Sequence, residues 1–190
     1  MNTLYIRDQD FKGEDLLVDK FIIGDYENCS FTNCNFSEAD ISGYNFIDCK
    51  FENCDVSMAK LNNTSLQKVS FKNCKLLGLR FENCNPFLLY FTFENSILNF
   101  SSFYKIKMKK IKFINCSLHE VEFIESDLPQ ATFEKSDLMG AVFQENNLET
   151  SDFRTAYNFS LDPERNKLKN SKFYINDIKG LLDKYKLIIE

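Results

Sequence analysis

Large apolar residues return at every fifth position. Counting in fives from Ile6 meets Phe11, Leu16, Phe21, Tyr26, Phe31, Phe36 and Ile41, and the series continues without a miss through Phe46, Phe51 and Phe71 to Phe81. It then slips by two residues, resumes at Leu88, and runs through Phe93, Leu98, Phe103 and Met108 to Phe153. All thirty positions are large and apolar. A period of five matches neither the 3.6 of a helix nor the 2.0 of a strand, so the chain must turn once in every five residues. A second series lies two positions before each large residue and is mostly small: Cys29, Cys34, Ala39, Cys49, Cys54, Ala59 and Cys74, then Ser96, Ser101, Cys116, Ser126, Ala131, Ser136 and Ala141. Asn, Asp, Glu, Lys, Ser and Thr fill the gaps. Each side of the turn is thus expected to send one large and one small side chain inward, and the polar residues outward.

From about Gly24 to Phe153 this pattern resembles the pentapeptide-repeat family, whose unit reads small, polar, Leu or Phe, polar, polar. The resemblance implies an all-β fold, a right-handed quadrilateral parallel β-helix in which four five-residue sides make a coil and residues twenty apart stack. Columns drawn on that assumption are chemically uniform: Phe93, Phe113, Phe133, Phe153 and Phe173 form one, Phe103, Phe123 and Phe143 another, Leu98, Leu118 and Leu138 a third. Phe31, Phe51 and Phe71 are the corresponding core residues upstream. Thirty repeats make about seven and a half coils, a rod of roughly 36 Å at the ~4.8 Å spacing of strands.

The ends and one interruption break the pattern. In residues 1–23 the large positions persist, but Gln9, Glu14 and Asp19 stand where small residues belong, which predicts an irregular capping coil. The body runs over 24–155, with a bulge or corner loop at the register slip of 83–88, where Pro86 cannot donate a ladder hydrogen bond. Asn158 and Pro163 fall on core positions, so 156–175 reads as a loop followed by a final side recovered at Leu168 and Phe173. Asn176 is placed to cap a short α-helix, and 176–190 reads as that helix and a hydrophobic tail in which Leu187, Ile188 and Ile189 can follow as a short strand. There Ile178, Leu181, Leu182 and Tyr185 form an apolar stripe, and with Leu187 and Ile189 they make a candidate dimer interface; the alternative is a cap folded over the last Phe ring.

Composition narrows the function classes. No run reaches the length of apolar residues a membrane helix needs, and the first eight residues lack the apolar core of a secretory signal, so a cytoplasmic protein that does not insert in membranes is expected. The net charge of −5 argues against direct binding to nucleic acid. That charge is unevenly spread. Met1–Ser57 holds 12 acidic and 4 basic side chains, Asn115–Phe153 holds 9 acidic and 1 basic, and Lys105, Lys107, Lys109, Lys110 and Lys112 lie between them. The seven cysteines all occupy small positions, where Ala or Ser serves as well, so they read as buried reduced thiols and not as zinc ligands. His119 follows an inward Leu with no nucleophile placed beside it. No phosphate-binding loop, triad or metal-ligand cluster is present in the sequence, so neither an enzyme nor a cofactor is expected.

Within the family, the resemblance is nearest to the quinolone-resistance branch that protects DNA gyrase. It implies a cytosolic dimer joined through its C-terminus, which mimics DNA and binds gyrase or topoisomerase IV. The acidic contact surface expected on this reading comprises Glu120, Glu122, Glu125, Asp127, Glu134, Asp137, Glu145 and Glu149. The alternative is a generic interaction scaffold for a different protein partner.

Overall fold

In the computed structural model the described residues, 4–15 and 21–188, wind into a parallel β-solenoid with four walls. Its strands are short, three or four residues in most cases, from Leu4–Arg7 to Val142–Gln144. Every strand pairing is parallel and joins residues one coil apart, as in Phe11 with Phe31, Phe31 with Phe51 and Phe113 with Phe133. The first wall carries an unbroken column of nine phenylalanines, Phe11, Phe31, Phe51, Phe71, Phe93, Phe113, Phe133, Phe153 and Phe173. Successive rings are stacked with centroids 4.6–5.5 Å apart. The second wall buries Phe36, Val56, Leu76, Leu98, Leu118 and Leu138, the third Ile41, Leu61, Phe81, Phe103, Phe123 and Phe143, and the fourth Tyr26, Phe46, Leu66, Met108, Leu128 and Leu148. Rings on opposite walls meet edge to face across the core, as Phe113 does with Phe123 at 5.8 Å and 80°, an arrangement aromatic quadrupoles favour.

The corner explains the period. From Asn28 to Gly78 every fifth residue has a positive φ, including Asn33, Glu38, Asp48, Asn53, Met58, Asn63, Lys68 and Asn73. A left-handed residue between two extended ones turns the strand through a corner, and Asn tolerates that conformation better than most side chains. Gly43 and Gly78 fill two of these corners with φ of 77° and 64°.

The small series proves to be more than small. Cys49, Cys54, Thr64, Cys74, Ser126, Ser136 and Ser151 each donate to the carbonyl 23 residues earlier, at 2.6–3.4 Å. These side chains give buried carbonyls of the preceding coil a donor, and those of Ile41, Phe103 and Leu128 also accept from the N–H three residues on. Asn146 and Asn166 continue the series as buried amides, with Asn146 Nδ2 donating to Phe123 O at 2.7 Å. Ile106 and Ile111 sit buried at small positions.

Several expectations need correction. The first coil is not irregular where it is described: Leu4–Arg7 pairs in register with Gly24–Glu27, and Asp10–Lys12 with Ser30–Thr32. Leu16 and Asp19 lie outside the described residues. Leu88 is not inward. It is 63% exposed and has a positive φ, while Phe91 is fully buried instead, because the two extra residues bulge outward and shift the inward positions by that amount. In the segment 156–175, Asn158 and Pro163 face solvent as expected, but Phe159 and Leu161 turn inward. The C-terminal helix is wound as two 3₁₀ segments, Ile175–Leu181 and Asp183–Tyr185, and the first is preceded by Tyr174, not capped by the side chain of Asn176. Three-residue turns bring Ile175, Ile178 and Leu181 onto one line.

Candidate functional surface

Outward positions on each wall inherit the twenty-residue register, which places every charge. Glu134 is on the first wall, beside Ile114 of the coil before. Asp137 is on the second, above Ser117, with Glu120 at the corner that ends that wall. Glu122 is on the third wall, and Glu125 and Glu145 are at the corner between the third and fourth. Asp127 and Glu149 belong to the fourth wall. The eight acidic residues therefore encircle the rod. Glu125 and Glu145 stack at one corner, with Glu122 on the wall before it and Asp127 and Glu149 on the wall after it, and the other three lie on the first and second walls.

That corner is partly neutralised. Glu125 pairs with Lys105 at 3.4 Å and Glu145 with Arg165 at 3.4 Å, so two stacked carboxylates lie between two cations. Asp127 accepts from Asn147 at 2.7 Å and stacks on Lys107. The same device recurs elsewhere: Asn28 donates to Asp8 at 2.6 Å and Asn35 to Asp15 at 3.1 Å. Alternating Asp with Asn along a column avoids like charges one strand spacing apart, a placement that costs stability.

His119 Nε2 lies 2.8 Å from Asp137 Oδ2. Partial burial opposes the charge of Asp137, but hydrogen bonds from His119, Asn158 and the Met139 N–H outweigh it and hold the carboxyl below its ordinary pKa. Ser117 donates to Asn99 at 2.7 Å and not to the imidazole, so no hydroxyl nucleophile is paired with this base. The seven cysteines are all buried and reduced, and burial pushes Cys49 and Cys84 up to about 12 and Cys116 up to about 11. Such thiols are poor nucleophiles. Among the described residues no group of three or more His, Cys, Asp or Glu side chains could hold a metal ion, and no helix is long and apolar enough to cross a membrane.

The C-terminal segment closes the end of the rod. The Leu161 N–H donates to Gly180 O at 2.8 Å, and Leu181 packs against the core. Lys184 reaches Asp162 at 2.7 Å and Glu164 at 2.6 Å, and the Tyr185 hydroxyl donates to Glu164 at 2.8 Å. Of the proposed interface residues, Ile178, Tyr185 and Leu187 are exposed, Leu181 and Leu182 are half-buried, and Ile189 lies outside the described residues. Tyr174, Ile175 and Ile188 extend the exposed apolar set. A helix starting at Asn176, as read from the sequence, leaves out Tyr174 and Ile175.

The closure should loosen in acid. Hydrogen bonds from Lys184 hold the carboxyls of Asp162 and Glu164 below their ordinary pKa. A carboxyl whose folded pKa is depressed contributes stability above its unfolded value and loses it as pH falls through the folded one. Hydrogen exchange corrected for intrinsic rate should therefore show Leu182 and Tyr185 losing protection between about pH 5 and pH 3, while Phe133 keeps its own. Equal protection of the tail across that range would contradict the assignment.

Walls of five residues, corners in the left-handed region and columns repeating every twenty define the solenoid of pentapeptide-repeat proteins. The family models described as "Pentapeptide repeat region" and "Pentapeptide repeats (8 copies)" match residues 25–103 and 116–154, together more than half of the chain. This chain belongs to the pentapeptide-repeat family. Among solved structures it is similar to a trypsin-treated variant of QnrB1, a plasmid-mediated fluoroquinolone resistance protein. The two are 25% identical, the match covers 98% of this chain and 100% of that one, and the TM-score is 0.50. It is also similar to HetL, a pentapeptide-repeat protein involved in heterocyst differentiation regulation from the cyanobacterium Nostoc sp. strain PCC 7120. That match has 15% identity, covers 90% of this chain and 87% of that one, and has a TM-score of 0.56, a likeness of fold alone. No curated protein matches the sequence.

Proposed function

We propose that this chain is a non-catalytic regulator of a type II topoisomerase, DNA gyrase or topoisomerase IV, which it engages as a DNA mimic and whose sensitivity to quinolones it changes. The observation that carries this reading is the likeness to QnrB1, which extends over nearly the whole of both chains. The charge distribution supports it. A slender rod bearing acidic residues at regular spacing suits a cationic groove built to attract phosphates. Glu122, Glu125, Asp127, Glu145 and Glu149 form the densest contact edge, with Glu120, Glu134 and Asp137 available to a partner that wraps the rod. The exposed apolar set at the C-terminus, Ile175, Ile178, Tyr185 and Leu187, supports a homodimer joined at that end.

A supercoiling assay with purified gyrase, with and without a fluoroquinolone, tests the function. Micromolar protein should shift the drug response or the supercoiling rate, and no effect together with no binding to either enzyme would remove the reading. For the dimer, light scattering is expected to give two chains for the wild type and one for Ile178→Asp, a substitution at an exposed site. A wild type running as a single chain would remove the interface.

The runner-up is a scaffold for some other protein. It is favoured by the salt bridges that neutralise Glu125 and Glu145 and by the lysines that interrupt the acidic columns. A partner that binds the rod unaffected by lysine substitution at Glu122 and Glu149 would favour the scaffold.

A further inference from the structure

The register slip leaves a break in the backbone ladder of the fourth wall. Elsewhere on this wall an N–H donates to the carbonyl of the coil before it: Asp127 to Ile106 at 2.8 Å, and Asn147 to Ser126 at 2.9 Å. Across the slip the offset becomes 23 residues, as in Ile97 to Cys74 at 2.9 Å and Ser102 to Leu79 at 2.8 Å. The same offset points the Lys107 N–H at the carbonyl of Cys84. That bond is not made, and Lys107 bridges only forward, to Asp127.

A groove of about 590 Å³ opens there, between Cys84, Pro86 and Leu89 on one side and Tyr104, Ile106 and Lys107 on the other. Glu82 also lines it, and its Oε2 is buried with no hydrogen-bond partner, while Oε1 lies 3.6 Å from Arg80. The groove thus holds an unpaired donor and unpaired acceptors along an interrupted strand edge, with apolar flanks. Two lysines line it: Lys105 is tied to Glu125, but Lys107 makes no ion pair among the described residues.

We infer that this groove receives an extended acidic segment of a partner protein, added as a short strand. Its backbone carbonyl accepts from the Lys107 N–H, and its N–H groups donate to Cys84 O and the Glu82 carboxylate. Strand geometry sends successive side chains to opposite sides. An apolar residue can then pack on Pro86, Leu89 and Ile106 while its acidic neighbours face the lysines, away from Glu82. A nucleic-acid backbone offers the same negative charge but no row of N–H donors for Cys84 and Glu82. The complementarity therefore favours a peptide. This surface adjoins the acidic edge assigned to the topoisomerase, since Lys105 pairs with Glu125 and Lys107 stacks on Asp127.

Fluorescence anisotropy of a labelled short peptide alternating glutamate and leucine, titrated with the full chain, tests the assignment. Saturable binding is expected. Lys107→Glu should weaken it by about tenfold or more, and methylating alternate peptide nitrogens should weaken it similarly. Lys169→Glu, an exposed charge change further along the same wall, should alter it less than about twofold. Both variants replace exposed side chains and should melt with the wild type. Absence of saturable binding at millimolar peptide, equal effects of the two lysine variants, or indifference to N-methylation would overturn the proposal. So would a short duplex DNA that binds as tightly as the peptide and is lost in Lys107→Glu, since the groove would then be a phosphate site.

Discussion

Phe133→Asp is expected to unfold the rod at room temperature, whereas Glu134→Lys, one residue away, should melt within a degree or two of the wild type. Phe133 is fully buried, stacked 5.2 Å from Phe113 and 4.6 Å from Phe153, and crossed edge to face by Phe123 and Phe143. Truncating such a ring alone costs about 3–5 kcal/mol, and an unpaired carboxylate in its place adds a further desolvation cost of several kcal/mol. Stability of a single domain is typically about 5–15 kcal/mol, so the combined loss removes most or all of it. The effect should spread, because each coil of a solenoid is held only by its neighbours. Glu134 is exposed, and substitutions of that kind change stability by about 0.5 kcal/mol or less. Circular dichroism melts of the two variants check this pair, and near-identical curves would show that Phe133 is not in a stacked core.

Gly180→Val should release the C-terminal closure. A Cβ at this position would lie 2.2 Å from the carbonyl oxygen of Phe159 and 2.8 Å from its ring, distances no real contact has. The backbone cannot slide away while the Leu161 N–H is bonded to Gly180 O. Overpacking of this kind costs about 1–3 kcal/mol, enough to lift the segment off Phe159, Leu161 and Phe173 without melting the coils beneath. Trypsin should then cut after Lys179, Lys184 and Lys186 much faster than in the wild type, leaving a rod that still melts cooperatively. Unchanged cleavage rates would mean that the segment does not seal the end.

Much of this architecture is legible in the sequence because a large apolar residue recurs at every fifth position, a period that fits neither helix nor strand. The Phe column on the first wall can be written down before any coordinates, including the step of 22 from Phe71 to Phe93. What the pattern hides has physical causes. Leu88 fits the count but sits on the bulge, and a period cannot say which of several apolar residues a bulge turns outward. Cys, Ser and Thr look like fillers of small volume; their donation to carbonyls 23 residues back appears only when the coils are stacked. The tail fooled the eye because apolar residues spaced by three satisfy an α-helix and a 3₁₀ helix alike. The acidic residues were least readable. Charges five apart in sequence, such as Glu120 and Glu125, lie on successive corners and point in different directions, so density along the chain does not amount to a face.

The coil of four five-residue walls is the claim on which the rest stands, and spin-label distances test it most directly. Lys50, Ser70, Thr92, Lys112, Thr132, Asp152 and Lys172 are paired in succession on the outside of the first wall. Labels at Lys50 and Lys172 are separated by six coil spacings, and pulsed electron resonance should find one narrow distribution near ~29 Å, with Lys112 to Lys172 at about half that. A broad distribution, or a Lys112 to Lys172 distance equal to or longer than Lys50 to Lys172, would contradict the square spiral.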